Sequence, residues 1–278
     1  MSEHRVAALI LAGGRLGADL ETVAEGATNR ALIPLAGRPM LEYVLDAVRA
    51  GMADFGGGRV LVAGDGVLVP AGCVSVPGGE SMVDTLLNGA AALGPYETRM
   101  LVVTADAPFL TGAAVGDFLA RAAALGPGVQ FAYAIVEAAR CRARFPEMKR
   151  TTLRVAEGEY TGGCLALLDP GFLLAKENVL RAAYANRKSV PALARMLGPS
   201  LIGRLLLSRA FPGALPIPVL ERAVGRLLGG AEARAVVSPH PEVGADVDKA
   251  EDVRIARRLL EEEAAARPAR KIEEEVVP

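Results

Sequence analysis

Residues 100–111 read MLVVTADAPFLT. The apolar and β-branched run from Met100 to Thr104 predicts a buried strand. The strand gives way to Asp106, and Pro108 follows two residues later. A carboxylate at the mouth of a buried strand must be hydrated, hydrogen-bonded or set against a cation, because burying it alone is prohibitive.

Working outward, RVAALILAGG (5–14) predicts another buried strand that stops at a glycine pair. In PMLEYVLDAVRAG (39–51), Leu41, Val44, Leu45 and Val48 share one helical face and Gly51 is the stop. GRVLVAGD (58–65) is a strand that again ends in Gly and Asp. SMVDTLLNGAAAL (81–93) predicts a helix with Ser81 as N-cap and Met82, Leu86 and Leu87 on one face. TGAAVGDFLARAAAL (111–125) predicts the helix after the 100–104 strand, with Thr111 as N-cap. Strand and helix alternate, which is the pattern of a doubly wound parallel sheet. Ligands in such sheets bind beyond the carboxyl ends of the strands. Gly13, Gly14 and Asp106 all lie at such ends.

The second half is less regular. VQFAYAIVE (129–137) is a strand, and residues 144–169 read as strands around loops rich in Lys, Arg and Gly. Residues 171–230 are mainly helical, broken by Pro191, Pro199 and PGALPIP (212–218). The chain from 233 onward gives a strand, a loop and an amphipathic helix. The simplest organisation is one domain over 1–265, with 171–230 a helical insertion and 266–278 a flexible charged tail.

Composition narrows the function. Of 278 residues 51% are hydrophobic but only 4% aromatic, which suits helices packed on a parallel sheet. The net charge is −1, so no basic surface points to nucleic acid or an anionic membrane. Cys73, Cys141 and Cys164 are odd in number and far apart, and only His4 and His240 accompany them, which argues against a zinc site or disulfide framework. No apolar stretch reaches the roughly 20 residues that span a bilayer, and no leader is read before the first strand. The expected location is the cytoplasm.

Gly13 and Gly14 let backbone N–H groups approach a phosphate or base, or simply form a tight turn. The segment is neither GxGxxG nor GxxxxGK[ST]. The long loop that follows holds Arg15 and ends at Arg30, two cations able to grip phosphates. In GADVDKAED, Asp246 and Asp248 alternate and are predicted to point to one side. Carboxylates with waters and phosphate oxygens make the usual magnesium site. The alternative is that Asp248 or one of its neighbours caps the last helix while Glu251 and Asp252 favour its dipole. Lys149 and Arg150 are candidate anion contacts. The apolar run Leu201–Leu207 is either helix core or a homodimer face.

LILAGG, NRALIPLAGRPMLEYVLDAV, TADAPFLT, TGG and ADVDKAED, in that order, resemble the MobA-like NTP transferases, the molybdenum-cofactor guanylyl/cytidylyl transferase type. This family is related to the sugar-phosphate nucleotidylyltransferases. The resemblance implies a Rossmann-like, mostly parallel α/β sheet of the nucleotide-diphospho-sugar transferase type. It also implies Mg²⁺-dependent transfer of a nucleotidyl group from an NTP to a small-molecule acceptor, bearing a phosphate or hydroxyl, with release of pyrophosphate. On it, Leu11, Ala12, Gly13 and Gly14 hold base and ribose, and Arg15 meets the triphosphate. Arg30 meets the α-phosphate. Pro77, Gly78 and Gly79 border the base above Asn88, and Ala105 joins the nucleotide site. Asp106 and Asp248, with Asp246, hold Mg²⁺, so Arg15, Arg30 and Asp106 carry catalysis. Lys149, Arg150, Thr161, Gly162 and Gly163 face the acceptor. Arg30 stands where the family usually has lysine, and Cys164 where asparagine often follows TGG. A catalytically degenerate nucleotide-binding protein is the alternative. A nucleotide-sugar-dependent glycosyltransferase is a further one, but the only DxD motif lies near the C terminus rather than mid-chain.

Overall fold

The computed structural model describes residues 5–186, 199–208 and 210–266. The tail expected beyond residue 266 and the break at Pro191 lie outside the described residues. In chain order the strands are β1 (Arg5–Leu11), β2 (Pro34–Leu35), β3 (Arg38–Pro39), β4 (Val60–Ala63), β5 (Cys73–Val76), β6 (Glu97–Thr104), β7 (Phe131–Glu137), β8 (Leu153–Val155), β9 (Gly158–Leu168) and β10 (Ala233–Ser238). The α-helices are α1 (Ala18–Glu21), α2 (Met40–Met52), α3 (Met82–Ala91), α4 (Gly112–Ala124), α5 (Ala138–Arg144), α6 (Pro170–Ala175), α7 (Glu177–Ala185), α8 (Pro199–Leu207), α9 (Ile217–Leu227) and α10 (Ala250–Ala266).

Eight strands form one sheet in the order β10-β7-β9-β6-β1-β4-β5, with β8 paired to β9. β5, β4, β1 and β6 run parallel, Leu9 opposite Leu61 and Val102. β9 runs antiparallel between β6 and β7, and β10 pairs in parallel with β7 at the edge.

Both faces are covered, which explains the unbroken apolar runs 6–11 of β1 and 100–103 of β6. Ile10, Leu101 and Val103 point into a core with Val44, Val48, Val115 and Phe118 of α2 and α4. Their neighbours Leu9, Met100 and Val102 point the other way, into a core with Val83 and Leu87 of α3 and with Leu173 and Leu180 of α6 and α7. A third cluster joins Leu20, Ile33, Leu35 and Met40 to Val247, Val253 and Ala256, so the loop after β1 is packed beneath α10.

Ser81 and Thr111 are the predicted N-caps, accepting the Asp84 N–H at 3.2 Å and the Ala114 N–H at 3.1 Å. Short elements escaped the sequence reading, helices α1 and α5 among them. β5 is only four residues long, and β2 and β3 form a two-residue hairpin turning at Ala36 and Gly37, both with positive φ. Leu201 is buried with Val155, Leu215 and Ala223, whereas Leu206 and Leu207 on the same helix are exposed. Among the described residues no helix is long and apolar enough to cross a membrane.

Candidate functional site

Three side chains from distant parts of the chain meet at the carboxyl edge of β1 and β6. Arg30 Nη1 donates to Asp106 Oδ2 at 2.9 Å and to Asp248 Oδ1 at 2.7 Å. Each partner is placed by backbone geometry. Asp106 follows β6, and its carbonyl accepts the Val247 N–H at 2.8 Å, which brings the next residue, Asp248, alongside. Arg30 opens a single 3-10 turn, Arg30–Leu32, capped by Asn29. Buried Asn29 accepts the Ala31 N–H at 2.8 Å and donates to the Ala12 carbonyl at 2.7 Å. The Arg30 N–H itself donates to the Gly14 carbonyl at 3.0 Å.

The glycine segment is tied down as tightly. Ala12 N–H donates to Ala63 O at 2.7 Å, and Ala105 N–H to Leu11 O at 3.1 Å. A Cβ on Gly64 would stand 2.7 Å from the Ala12 carbonyl carbon, so only glycine allows β4 to pass so close. The loop 77–79 is supported from two sides. Asp65 Oδ1 accepts the Gly78 N–H at 3.1 Å, and Thr85 Oγ1 accepts the Gly79 N–H at 3.0 Å. Asn88 donates from below to Pro77 O at 3.2 Å. Gly79 is pressed against α3, where any Cβ would collide with that of Asp84.

The structure brings Arg30, Asp106 and Asp248 together, but Asp246 elsewhere. Asp246 pairs with Arg150, which also donates from Nη1 to the Asp246 carbonyl at 3.0 Å. The expectation that Asp246 and Asp248 point to one side fails, because residues 245–248 form no regular strand and period-two alternation does not hold there, so the two carboxylates face different arginines. Nor does Asp248 cap α10. Asp252 does so, accepting the N–H groups of Asp248 and Lys249 at 3.1 and 3.0 Å, and Asp19 accepts that of Ala250 at 2.7 Å. Arg15 is exposed on the loop after β1. Lys149 and Arg150 line a separate cavity of about 230 Å³ with Cys141 and Arg142. Thr161 is buried, its hydroxyl donating to Thr151 O at 3.0 Å, while Gly162 is exposed. Asn29, Asp65, Thr85 and Asp19 were missed. The available signal was a polar residue standing against an apolar stretch, as Asn29 does before RALIPL.

The three-residue cluster carries a net charge of −1. Asp106 Oδ1 is buried without a hydrogen-bond partner, and so is Arg30 Nε. A buried, unpaired carboxylate oxygen beside a second carboxylate suits a hard divalent cation. Among the described residues no three His, Cys, Asp or Glu side chains converge as a metal cage. Such a cation would therefore draw its remaining ligands from water and phosphate oxygens, as magnesium does. Next to this cluster, burial and the Asp106 charge push the Cys164 thiol well above the usual range, so it stays protonated and neutral.

A family model described as the MobA-like NTP transferase domain matches residues 8–208. The solved structure of a hypothetical transferase from Thermus thermophilus is 36% identical, covering 90% of this chain and 99% of that one, with a TM-score of 0.74. At 14% identity the fold is shared with 4-diphosphocytidyl-2C-methyl-D-erythritol synthase from Anaerococcus prevotii, over 93% of this chain and 97% of that one, with a TM-score of 0.54. It is shared too with a CMP:2-keto-3-deoxy-manno-octonic acid synthetase complexed with CTP, 15% identical over 93% and 99% of the two chains, with a TM-score of 0.53. No curated protein sequence matches the chain.

Proposed function

The chain belongs to the MobA-like NTP transferase family, and on that premise we propose that it transfers a nucleoside monophosphate from an NTP to a small-molecule acceptor in a Mg²⁺-dependent reaction. An acceptor oxygen forms a bond to the α-phosphorus. The bond from that phosphorus to the α,β-bridging oxygen breaks, and pyrophosphate leaves with the electron pair. In-line transfer needs charge neutralised and the nucleophile positioned, with little covalent help from the protein.

The observation that carries the reading is the meeting of Arg30, Asp106 and Asp248 beside the backbone of Gly13–Gly14. The exposed N–H groups and Arg15 receive the triphosphate, and the supported loop 77–79 borders the base. Asp106 and Asp248 would hold the cation, which when bound supplies Lewis-acid neutralisation of the α-phosphate. Arg30, whose planar fork suits phosphate, is placed to shift part of its hydrogen bonding from the carboxylates to the nucleotide. Lys149 and Arg150 serve an anionic group of the acceptor. Residues 1–265 act as one domain, in the cytoplasm.

The test is calorimetric titration with each of the four NTPs, with and without Mg²⁺, using Asp106→Asn as control. Mg²⁺-dependent binding of one or two NTPs, lost in the variant, is the expected result. Absence of NTP binding by the wild type overturns the reading. The guanidinium between the two carboxylates also favours a second reading, a nucleotide-binding protein without turnover. Binding without pyrophosphate release in the presence of acceptors selects it.

A further inference from the structure

An apolar chamber of about 510 Å³ lies between the sheet and helices α3, α6, α7 and α9. Interiors pack with few voids larger than a water molecule, and this volume falls in the range of about 300–1,000 Å³ typical of small-molecule sites. One end of the chamber is walled by Leu11, Thr104 and Cys164. Leu11 and Thr104 are the last residues of β1 and β6, directly before Ala12 and Ala105 of the nucleotide site. β9 pairs Leu165 with Val103, so Cys164 stands beside Thr104, two residues before Asp106, and this end of the chamber and the carboxylate cluster are neighbours.

The chemistry of the walls is one-sided. Among the described residues no lysine, arginine or histidine lines the chamber, and Oδ1 of its one carboxylate, Asp169, accepts the Phe172 N–H at 3.0 Å. Gln130 Oε1 is likewise taken by the Glu232 N–H at 2.6 Å. Ala166 on β9 and Leu86 on α3, both lining residues, remain partly uncovered in the middle of a packed fold. Thr104, Tyr133 and Tyr184 are the hydroxyl-bearing residues among otherwise mainly apolar walls, so a sugar or polyol placed here would leave most of its hydroxyls unpaired, which a site of this kind rejects.

We propose that this chamber holds the body of the acceptor, and that the acceptor is an amphiphile: a hydrocarbon or aromatic body carrying the phosphate or hydroxyl that attacks the α-phosphorus. The body lies between β9 and α3, and the nucleophilic oxygen emerges at Leu11 and Thr104, toward Arg30 and Asp106. A hydroxyl acceptor releases its proton to solvent as the new O–P bond forms; a phosphate dianion releases none. The inference rests on the nucleotidyl-transfer reading of the neighbouring site.

The test uses octyl phosphate and glucose 1-phosphate as probes, titrated calorimetrically into the full chain below the micellar concentration of the former. Octyl phosphate is expected to bind at least tenfold more tightly than glucose 1-phosphate. Ala166→Phe, which fills the chamber, is expected to weaken octyl phosphate tenfold or more while leaving NTP affinity within twofold. If Ala166→Phe does not fold, as judged by circular dichroism, Leu86→Asn makes the same test by placing an amide on the wall. Equal affinity for the two probes, or undiminished octyl phosphate binding in a folded chamber variant, overturns the inference. NTP binding without octyl phosphate binding overturns it alone. Octyl phosphate binding without NTP binding overturns the nucleotidyl-transfer reading, and the acceptor role with it.

Discussion

Replacing Arg30 with alanine should make the Asp106–Asp248 carboxylate pair a better cation trap. The Arg30 guanidinium donates from one nitrogen to both Asp106, at 2.9 Å, and Asp248, at 2.7 Å. A divalent ion seeking those oxygens must displace it. The Asp248 side chain is 50% exposed, so that contact contributes at most about 1 kcal/mol. The Asp106 side chain is 19% exposed, and a charge-assisted hydrogen bond there contributes about 1.5 kcal/mol, the lower end of its usual range. Displacement from both costs about 2 kcal/mol, or roughly thirtyfold in affinity at 1.4 kcal/mol per decade. Mn²⁺ titration of nucleotide-free protein, followed by electron spin resonance of the free ion, measures this directly. Arg30→Ala should bind Mn²⁺ about thirtyfold more tightly than wild type yet bind NTP more weakly, since the phosphates lose a cation. Adding Asp106→Asn should abolish the gain. Equal Mn²⁺ affinity in wild type and Arg30→Ala would refute the idea that guanidinium and metal compete for one pair of carboxylates.

Asp106→Asn alone keeps an oxygen for Arg30, so its thermal midpoint should fall by only about 2–4 °C while Mg²⁺-dependent NTP binding disappears; a large drop in the midpoint would give Asp106 a mainly structural role. Asn29→Ala strips partners from the Ala12 carbonyl and the Ala31 N–H, which should cost about 2–4 kcal/mol in urea denaturation; a loss below 1 kcal/mol would show that water takes over. Gly79→Ala forces the loop off α3, so it should weaken NTP binding and cost about 1–3 kcal/mol of stability; unchanged affinity would remove the loop from the nucleotide site. Cys164 has its pKa raised in the fold, so its stabilising share is complete below the free-thiol range of about 8.5 and is lost as pH rises above it. The stability difference between wild type and Cys164→Ala should therefore be constant up to about pH 8 and shift against the wild type above that; a flat difference to pH 10 would contradict it.

What could be read from the chain was whatever is encoded within a few neighbouring residues. β1 and β6 announce themselves because a strand buried on both faces is apolar throughout, and the caps at Ser81 and Thr111 because capping is local. β5 was illegible because CVSV is too short to show a period. The pairing of Arg30 with Asp106 and Asp248 was half visible: the residue types were clear, but which carboxylate faces which arginine depends on contacts across the chain. Asp246 shows this well. Two residues from Asp248, it turns to Arg150 instead. The capping of α10 by Asp19 is equally non-local, since donor and acceptor lie 231 positions apart. The apolar chamber was invisible for another reason. Leu11, Leu86 and Ala166 read as ordinary core, and nothing in a sequence distinguishes a wall that touches another wall from one that touches a space.

The hydrogen bond from Val247 to Asp106 also has a meaning in time. Arg30 and Asp248 are 218 positions apart, so at translation speeds of about 5–20 residues per second the second carboxylate arrives about 10–40 s after the arginine. Throughout that interval β1, α2, β4 and β6 can assemble, while the loop carrying Arg30 lacks the α10 packing that fixes it. Until residue 248 has emerged and α10 has docked, the nascent chain holds the glycines of the loop after β1 and Arg30 without the second carboxylate that Arg30 pairs with.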